Sequence, residues 1–508
     1  MAKTGIIRHF TAQLALAFAV IAVSTFNYGF DNAGYSTIQA MDGFIERFGE
    51  YDEALGTHKL APYWLSLFNS LNFIGFGAGV MIGSLVSQRW GRRWCMFSMS
   101  AWALIPAVIA LTSKGPTQIL VARILNYIYI GMELAVVPVY QSEIMPKEIR
   151  GFAVGSYQFS LMFGSFIVNS ICKGTSELQG DKAWQIPVGL FFLIPVIVMG
   201  MIFFIPESPR WLLTKDRVEE AHASLTKLRG GKVPQAEIDE QFAALQFALE
   251  NETEQGNFTE LFKGINLKRT LIVMAMNFFQ QATGQAFASS YGAIFIRGLG
   301  TVNPFTMGII NSFINLCIVL IGLNLNDRFG RRPLLMIGAV WMLAAIVTMG
   351  SLGTIQDPSD TVRTAIVAML TVFAAGFVFA WAPLTYVVTT EVPALRLRDA
   401  SQRTASLVNV VTNFAVSFSI PYLLYEPYAA LGSKVGFIFA GILVIALVFT
   451  YFCVPECKGK SLEQIDRMFN EQITLRKFGD YAPEDVKADE VTGEKAVVVV
   501  DARHEEKV

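Results

Sequence analysis

Arg89-Trp90-Gly91-Arg92-Arg93 returns later in the chain as Arg328-Phe329-Gly330-Arg331-Arg332, and this repeat decides the reading of the fold. Each basic cluster fills a short loop between two long apolar runs. Two further elements recur in the same order. Glu143-Ile144-Met145-Pro146, followed by Arg150, returns as Glu391-Val392-Pro393, followed by Arg396 and Arg398, and Pro206-Glu207 returns as Pro455-Glu456. Three elements repeated in one order indicate a duplicated chain. Around them lie apolar runs at roughly 12–34, 63–87, 94–113, 117–140, 152–172, 184–205, 270–296, 305–325, 333–353, 364–388, 404–424 and 434–454. A helix needs about 20 largely apolar residues to cross a hydrocarbon core about 30 Å thick. The expected fold is therefore an all-α membrane protein of twelve transmembrane helices. It divides into a six-helix half at 1–206, a cytoplasmic helical linker at 207–268, a second six-helix half at 269–454, and a cytoplasmic tail at 455–508 that is largely disordered.

Composition agrees with that solvent. Of 508 residues, 53% are hydrophobic and 16% charged, where a soluble domain carries about 25% charged residues. The formal net charge of −1 offers no general attraction to nucleic acid. Five scattered cysteines without CxxC spacing argue against a disulfide framework or a zinc site. His9, His58, His222 and His504 have no metal spacing, and no phosphate loop or nucleophile elbow is present. The sequence thus points to no enzyme, metal or cofactor. The first run follows Lys3 and Arg8 but is too long for a signal h-region and carries Asp31, so it reads as a retained helix.

Basic residues set the side. Arg89, Arg92, Arg93, Lys147, Arg150, Arg328, Arg331, Arg332, Arg396, Arg398 and Arg403 crowd the short loops of one face, and fewer occupy the other. That excess marks the inside, so both termini and the linker are expected in the cytoplasm, with the plasma membrane as the expected location. The acceptor patterns at Asn251 and Asn257 would then go unused. In the linker, Ile238, Phe242, Leu245 and Leu249 recur at helical spacing, as on an amphipathic surface helix.

Three sets of residues bear on mechanism. Duplicated six-helix halves are the architecture of transporters whose site lies between the halves at mid-membrane. The basic clusters either serve topology alone or form ion pairs, Arg89, Arg92 and Arg93 with Glu143, and Arg328, Arg331 and Arg332 with Glu391. Such pairs are expected to lock the inner ends of the halves together. Asp31 and Arg123 lie at membrane depth, where a charge is normally paired or functional. They read either as a proton-coupling pair or as a fixed structural salt bridge. Gln158, Gln280, Gln281, Asn315, Asn409 and Asn413 are amides in apolar helices. Singly, each is as well explained by a helix–helix hydrogen bond. Together they suit a sugar, because an amide both donates and accepts to hydroxyls. Tyr386, Trp381, Tyr291 and Phe26 would supply aromatic walls, or simply pack.

The ordered motifs resemble the sugar porter family of the major facilitator superfamily over roughly residues 15–470. They are Gly29-Phe30-Asp31, Arg89–Arg93, Arg123, Pro138 through Glu143, Pro146, Arg150-Gly151 and Pro206-Glu207-Ser208-Pro209-Arg210. Gln280-Gln281 with Gly284, Asp327–Arg332 and Pro455–Glu463 complete the series. The texture is similar to fungal members. The resemblance implies the major facilitator fold and substrate contacts at Gln158, Gln280, Gln281, Asn315 and Asn409, with Tyr386 on the helix 10 aromatic position. It implies an outer gate at Tyr291, proton coupling at Asp31 and Arg123, and an inner gate that adds Arg150 and Glu207 to the ion-pair residues above. The expected activity is alternating-access symport of a proton with a monosaccharide or small oligosaccharide by a monomer. Facilitated uniport and sugar sensing without transport are the alternatives. The chain departs from the family pattern at Ala286, Tyr386, Tyr127, Tyr129 and Gln88. Hexose, pentose, polyol and disaccharide all remain open.

Overall fold

The computed structural model describes residues 11–53, 56–146, 150–250, 256–460 and 462–479. Ten of its helices are long and apolar enough to cross a membrane, among the described residues. The spans are α1 (Ala12–Ile38), α2 (Pro62–Trp90), α3 (Arg92–Leu111), α4 (Pro116–Ile144), α5 (Arg150–Thr175), α6 (Lys182–Phe204), α7 (Gly264–Ala282), α8 (Pro304–Phe329), α9 (Arg331–Leu352), α10 (Asp360–Glu391), α11 (Arg398–Leu424) and α12 (Val435–Cys453). The two that complete the twelve are α5 and the broken seventh segment. The latter continues past α7 as Gln285–Ser290 and Gly292–Leu299.

The break has a local cause. Gly284 has φ +94°, and a Cβ there would meet the Phe439 ring at 2.6 Å, so glycine alone fits both the turn and the contact. In α10 the helix widens to a π-turn over Phe377–Trp381, directly before Pro383. Proline supplies no N–H to the helical ladder, so α10 carries two irregular features side by side, each of which kinks a helix.

Helices pack through small residues, because between helices in lipid close backbone approach replaces the hydrophobic drive. On α2, Cβ atoms added to Gly75 and Gly79 would lie 2.0 and 2.2 Å from the Ile124 and Ile128 carbonyl oxygens of α4. Gly29 of α1 and Gly164 of α5 meet the opposite backbones as closely. Gly79→Leu is therefore expected to lower the thermal midpoint of the purified protein in detergent, since overpacking costs about 1–3 kcal/mol. An unchanged midpoint would contradict this packing.

The chain ends of the spans and the linker lie on one side, here the linker face; the loop at 39–61 lies on the far face. Between the halves, α5 runs along α8 and α2 along α11. The cross-half hydrogen bonds we find cluster toward the far face. Ser66 Oγ donates to the Phe418 carbonyl at 2.7 Å, and Asn169 Nδ2 donates to Ser312 Oγ at 2.8 Å. Arg297 pairs with Asp42 and donates to the Ala40 carbonyl.

On the linker face, helices Pro209–Leu213, Val218–Arg229 and Gln235–Glu250 form a small core of Trp211, Leu212, Ala221, Leu225, Ile238 and Phe242. Of the tail expected to be largely disordered, residues 462–470 form a helix instead. Arg269 pairs with Asp466 and lies over the Phe469 ring at 4.5 Å, while Ile465, Met468, Phe469 and Phe478 are buried. The apolar spacing of Ile465, Met468 and Phe469 gives that segment a face to bury. Residues 480–508 lie outside the described residues.

Candidate functional site

The break after α7 brings amides together. Asn409 Nδ2 donates to Gln280 Oε1 at 2.7 Å and to Asn277 Oδ1 at 3.3 Å; Gln281 Nε2 donates to Asn409 Oδ1 at 3.2 Å. Gln280 Nε2 spans the gap to α10, donating to the Trp381 and Ala382 carbonyls at 3.3 Å. Gln280 is buried, whereas Gln281 and Asn409 are partly exposed. The cluster therefore has a fixed floor and two amides with a free side. Asn409 gives both amide hydrogens to Gln280 and Asn277, and Gln281 gives both to Asn409 and Gln280, so what these two amides turn toward a sugar hydroxyl is acceptor oxygen, with donors freed only if the cluster rearranges. Asn277 was not among the expected residues. Its signal was its place one helical turn before Gln280 and Gln281, on the same face.

Other expected residues stand apart from this cluster. Gln158 on α5 and Asn315 on α8 are partly exposed, and neither hydrogen-bonds to it among the described residues. Asn413 Oδ1 accepts from Ser417 at 3.2 Å. Tyr386 is 53% exposed at membrane depth. It stands close to Tyr28 and Tyr157 of the first half. Trp381 is no aromatic wall: it is fully buried, and its Nε1 donates to the Leu335 carbonyl at 3.2 Å. Tyr291 is also fully buried. Its hydroxyl donates to the Ser417 carbonyl at 2.6 Å and reaches the Leu65 carbonyl at 3.4 Å, tying the seventh segment to α11 and α2 near the far face.

Asp31 and Arg123 are both buried but form no ion pair with each other, contrary to the expected pairing. Arg123 lies beside the interruption of α2 between Ser70 and Asn72. There its Nε donates to the Phe68 carbonyl at 2.6 Å and its Nη2 to Asn69 Oδ1 at 3.2 Å, and the guanidinium sits 4.8 Å from the Tyr35 ring centre. Backbone acceptors and a π-face thus replace the carboxylate. Asp31 Oδ2 accepts from Asn27 at 3.3 Å, and its Oδ1 has no partner. Tyr127 and Tyr129, which depart from the family pattern, point at α1: Tyr127 donates to Asn32 Oδ1 at 2.8 Å, and Tyr129 reaches the Ser24 carbonyl at 3.4 Å.

At the linker face the duplicated motifs build two similar braces. Arg92 meets Glu143 with two bonds, 2.9 Å from Nε and 2.8 Å from Nη2; Arg331 meets Glu391 at 3.3 and 2.9 Å. Glu207 accepts from the backbone N–H groups of Arg92 and Arg93 at 3.0 and 3.1 Å, and Glu456 accepts from those of Arg331 and Arg332 at 3.0 Å. A carboxylate at a helix N-terminus answers its free donors and its dipole. Burial pushes the Glu207 carboxyl above the usual carboxylate range, against the pull of the Ser208, Arg93 and Arg92 N–H donors. The glycine within each motif follows. Gly91 and Gly330 have φ +97° and +94°, and an added Cβ would lie 2.4 and 2.8 Å from the Glu207 and Glu456 carboxylates.

This geometry corrects the expected inner lock. Each pair joins helices of one half, α3 to α4 or α9 to α10, so neither spans the two halves. Arg89 is exposed beside Trp90, away from Glu143. Arg93 donates to the Ile202 and Phe203 carbonyls, and Arg332 to that of Tyr451, each at the end of its half's last helix. The side chains of Arg150 and Arg328 lie outside the described residues. Glu391→Gln is accordingly expected to lower stability by about 1.5–3 kcal/mol, the range for a hydrogen bond to a charged group, in thermal melts of the purified protein. A melt unchanged by Glu391→Gln would contradict the brace.

A family model described as sugar (and other) transporter matches residues 17–469. The chain is 29% identical over 474 residues to the major facilitator-type transporter ecdD of Aspergillus rugulosus, covering 90% of this chain and 88% of that one. It is also 29% identical over 485 residues to a low-affinity glucose transporter of Kluyveromyces lactis, covering 92% and 85%. Among solved structures, the xylose transporter XylE of E. coli, in its inward-open conformation, aligns with a TM-score of 0.75 at 21% identity, covering 90% of this chain and 99% of that one.

Proposed function

This chain belongs to the sugar (and other) transporter family of the major facilitator superfamily, and from that premise we propose that it is a sugar:proton symporter of the plasma membrane. It is a multi-pass membrane transporter and not an enzyme. The observation that carries the sugar reading is the Asn277, Gln280, Gln281 and Asn409 cluster at the break of the seventh segment. Discontinuous helices are where such folds place substrate, and adjacent glutamines are tolerated at this depth only beside protein or a wet cavity. Glucose is the substrate in the Kluyveromyces relative's name; a hexose is therefore the first sugar to try.

In this reading the linker face is cytoplasmic, and the described state has its external side shut. Tyr291, Asn169 and Arg297 hold the halves together there. A monomer would work by rocking 1–206 against 269–454 about the substrate, with 207–268 as the cytoplasmic link. Gln158, now apart from the amide cluster, would come to the sugar as the halves close, while Asn315, on α8 of the same half as the cluster, would line the site from that half. Tyr386 would supply the aromatic surface between them. Asp31 carries the coupling: a buried carboxylate without a cation is held neutral far more easily than charged, so its protonation state can be tied to which side is open. Arg123 supports it indirectly, by fixing Asn69 and the α2 interruption rather than by neutralising it.

Uptake of labelled glucose into proteoliposomes, with and without an imposed pH gradient, tests this reading. Gradient-driven uptake that a protonophore collapses is expected. Uptake indifferent to the protonophore would leave a uniporter, and binding without uptake of any sugar would leave a sensor.

A further inference from the structure

A second acid lies within the membrane-spanning part of the first half. Glu133, on α4, is fully buried. It stands ten residues from Arg123 and ten from Glu143, about 15 Å from each along the helix, and so near mid-membrane. Tyr157 of α5 donates to its Oε2 at 3.0 Å; its Oε1 has no partner. Thr25 of α1 lies beside it, but that hydroxyl donates to the Ile21 carbonyl at 3.1 Å. No lysine or arginine forms an ion pair with Glu133 among the described residues.

Thr25 is six residues, about 9 Å, nearer the linker face than Asp31 on the same helix. Glu133 therefore sits on the linker side of Asp31. Tyr129, one turn before Glu133 on α4, reaches the Ser24 carbonyl of α1 at 3.4 Å, and Ser24 stands next to Thr25 and three residues before Asn27, the donor to Asp31. On the other side Tyr157 is partly exposed, with Tyr28 and the half-exposed Tyr386 around it. Among the described residues, Tyr28 of α1, Tyr129 of α4 and Tyr157 of α5 are the titratable groups around Glu133, with Tyr386 of α10 beyond Tyr28 and Tyr157.

We propose that Glu133 is a second proton-binding site, the inner station from which a proton accepted at Asp31 leaves toward the linker face. An ionised carboxylate at this depth, with no cation and one oxygen unanswered, is far less stable than the acid. Glu133 is thus a place where a proton can rest, and it accepts one from Asp31 only after its own has left. Release runs through one hydroxyl: the Tyr157 O–H turns from Glu133 toward water on its exposed side and gives up that proton there, as the Glu133 acid proton passes to the Tyr157 oxygen. One proton moves, Glu133 is left as carboxylate, and Tyr157 is restored. The inference rests on the proton-coupled reading, but its test does not use transport.

Infrared titration of the purified protein reads buried protonated carboxyls through their carbonyl stretch. Two such bands are expected in the wild type, one lost in Asp31→Asn and a different one in Glu133→Gln. Tyr157→Phe, which removes only the hydroxyl, is expected to move the Glu133 band and leave the Asp31 band in place. It also serves if Glu133→Gln does not fold. A single band that Asp31→Asn abolishes, or a spectrum untouched by both Glu133→Gln and Tyr157→Phe, would overturn the proposal. A protein that carried no sugar would defeat the functional reading while leaving this spectrum to be read.

Discussion

Asp31→Asn is expected to abolish uphill sugar accumulation while exchange of labelled for unlabelled sugar continues. The substitution keeps the size of the side chain and its bond to Asn27, and removes only the capacity to bind a proton. One pH unit is worth about 1.4 kcal/mol per proton. A carrier moving one proton per sugar would therefore hold about a tenfold gradient under that force. The variant should fall to equal concentrations inside and out, with or without the pH gradient. Exchange needs the loaded carrier to change sides without net proton transfer, and a permanently neutral amide at position 31 imitates the protonated state that makes this move. Accumulation that survived the substitution would remove Asp31 from coupling. Because Arg123 is held by Phe68, Asn69 and Tyr35 rather than by Asp31, the variant should also leave the fold intact, which a thermal melt checks.

Gln280→Ala is expected to weaken sugar binding by about 10–100-fold. Gln280 accepts from Asn409 and donates to the Trp381 and Ala382 carbonyls, so it sets the positions of both α11 and α10 around the site. Truncation leaves the Asn409 donor and the α10 carbonyls without that partner. An unsatisfied buried group costs about 1–3 kcal/mol, and each 1.4 kcal/mol is tenfold in affinity. Gln281→Ala removes a partly exposed amide that has less to hold in place, and should weaken binding less. Competition binding across a panel of sugars reads both effects. Equal, small losses in the two variants would mean that the cluster serves helix packing alone.

Much of this was legible in the residues. The duplicated motifs spelled out the two halves, and the structure supplies their physical reason: Gly91 and Gly330 must be glycine so that Glu207 and Glu456 can reach the N-termini of α3 and α9. Arg92 and Glu143, like Arg331 and Glu391, were correctly paired by type. Sequence could not say that each pair closes within one half, because helix neighbours are set by packing and not by order. The same limit produced the Asp31–Arg123 pairing: opposite charges at similar depth suggest each other, but Arg123 found a backbone carbonyl at the α2 interruption that no motif marks. Glu133 was overlooked inside an apolar run whose overall hydropathy hid one acid. Glu133, ten residues from both Arg123 and Glu143, falls about 80° off their helical face, so neither leads to it. Asn277 is marked by no motif, only by its place one helical turn before Gln280 and Gln281.

The most direct measurement of the central claim is proton entry driven by sugar alone. Proteoliposomes loaded with a pH-sensitive dye, with no gradient imposed and the membrane potential clamped, receive glucose on the outside. If the chain is a sugar:proton symporter, the lumen acidifies as sugar enters, and Asp31→Asn vesicles show no acidification. Sugar entry with no change in lumenal pH would contradict it.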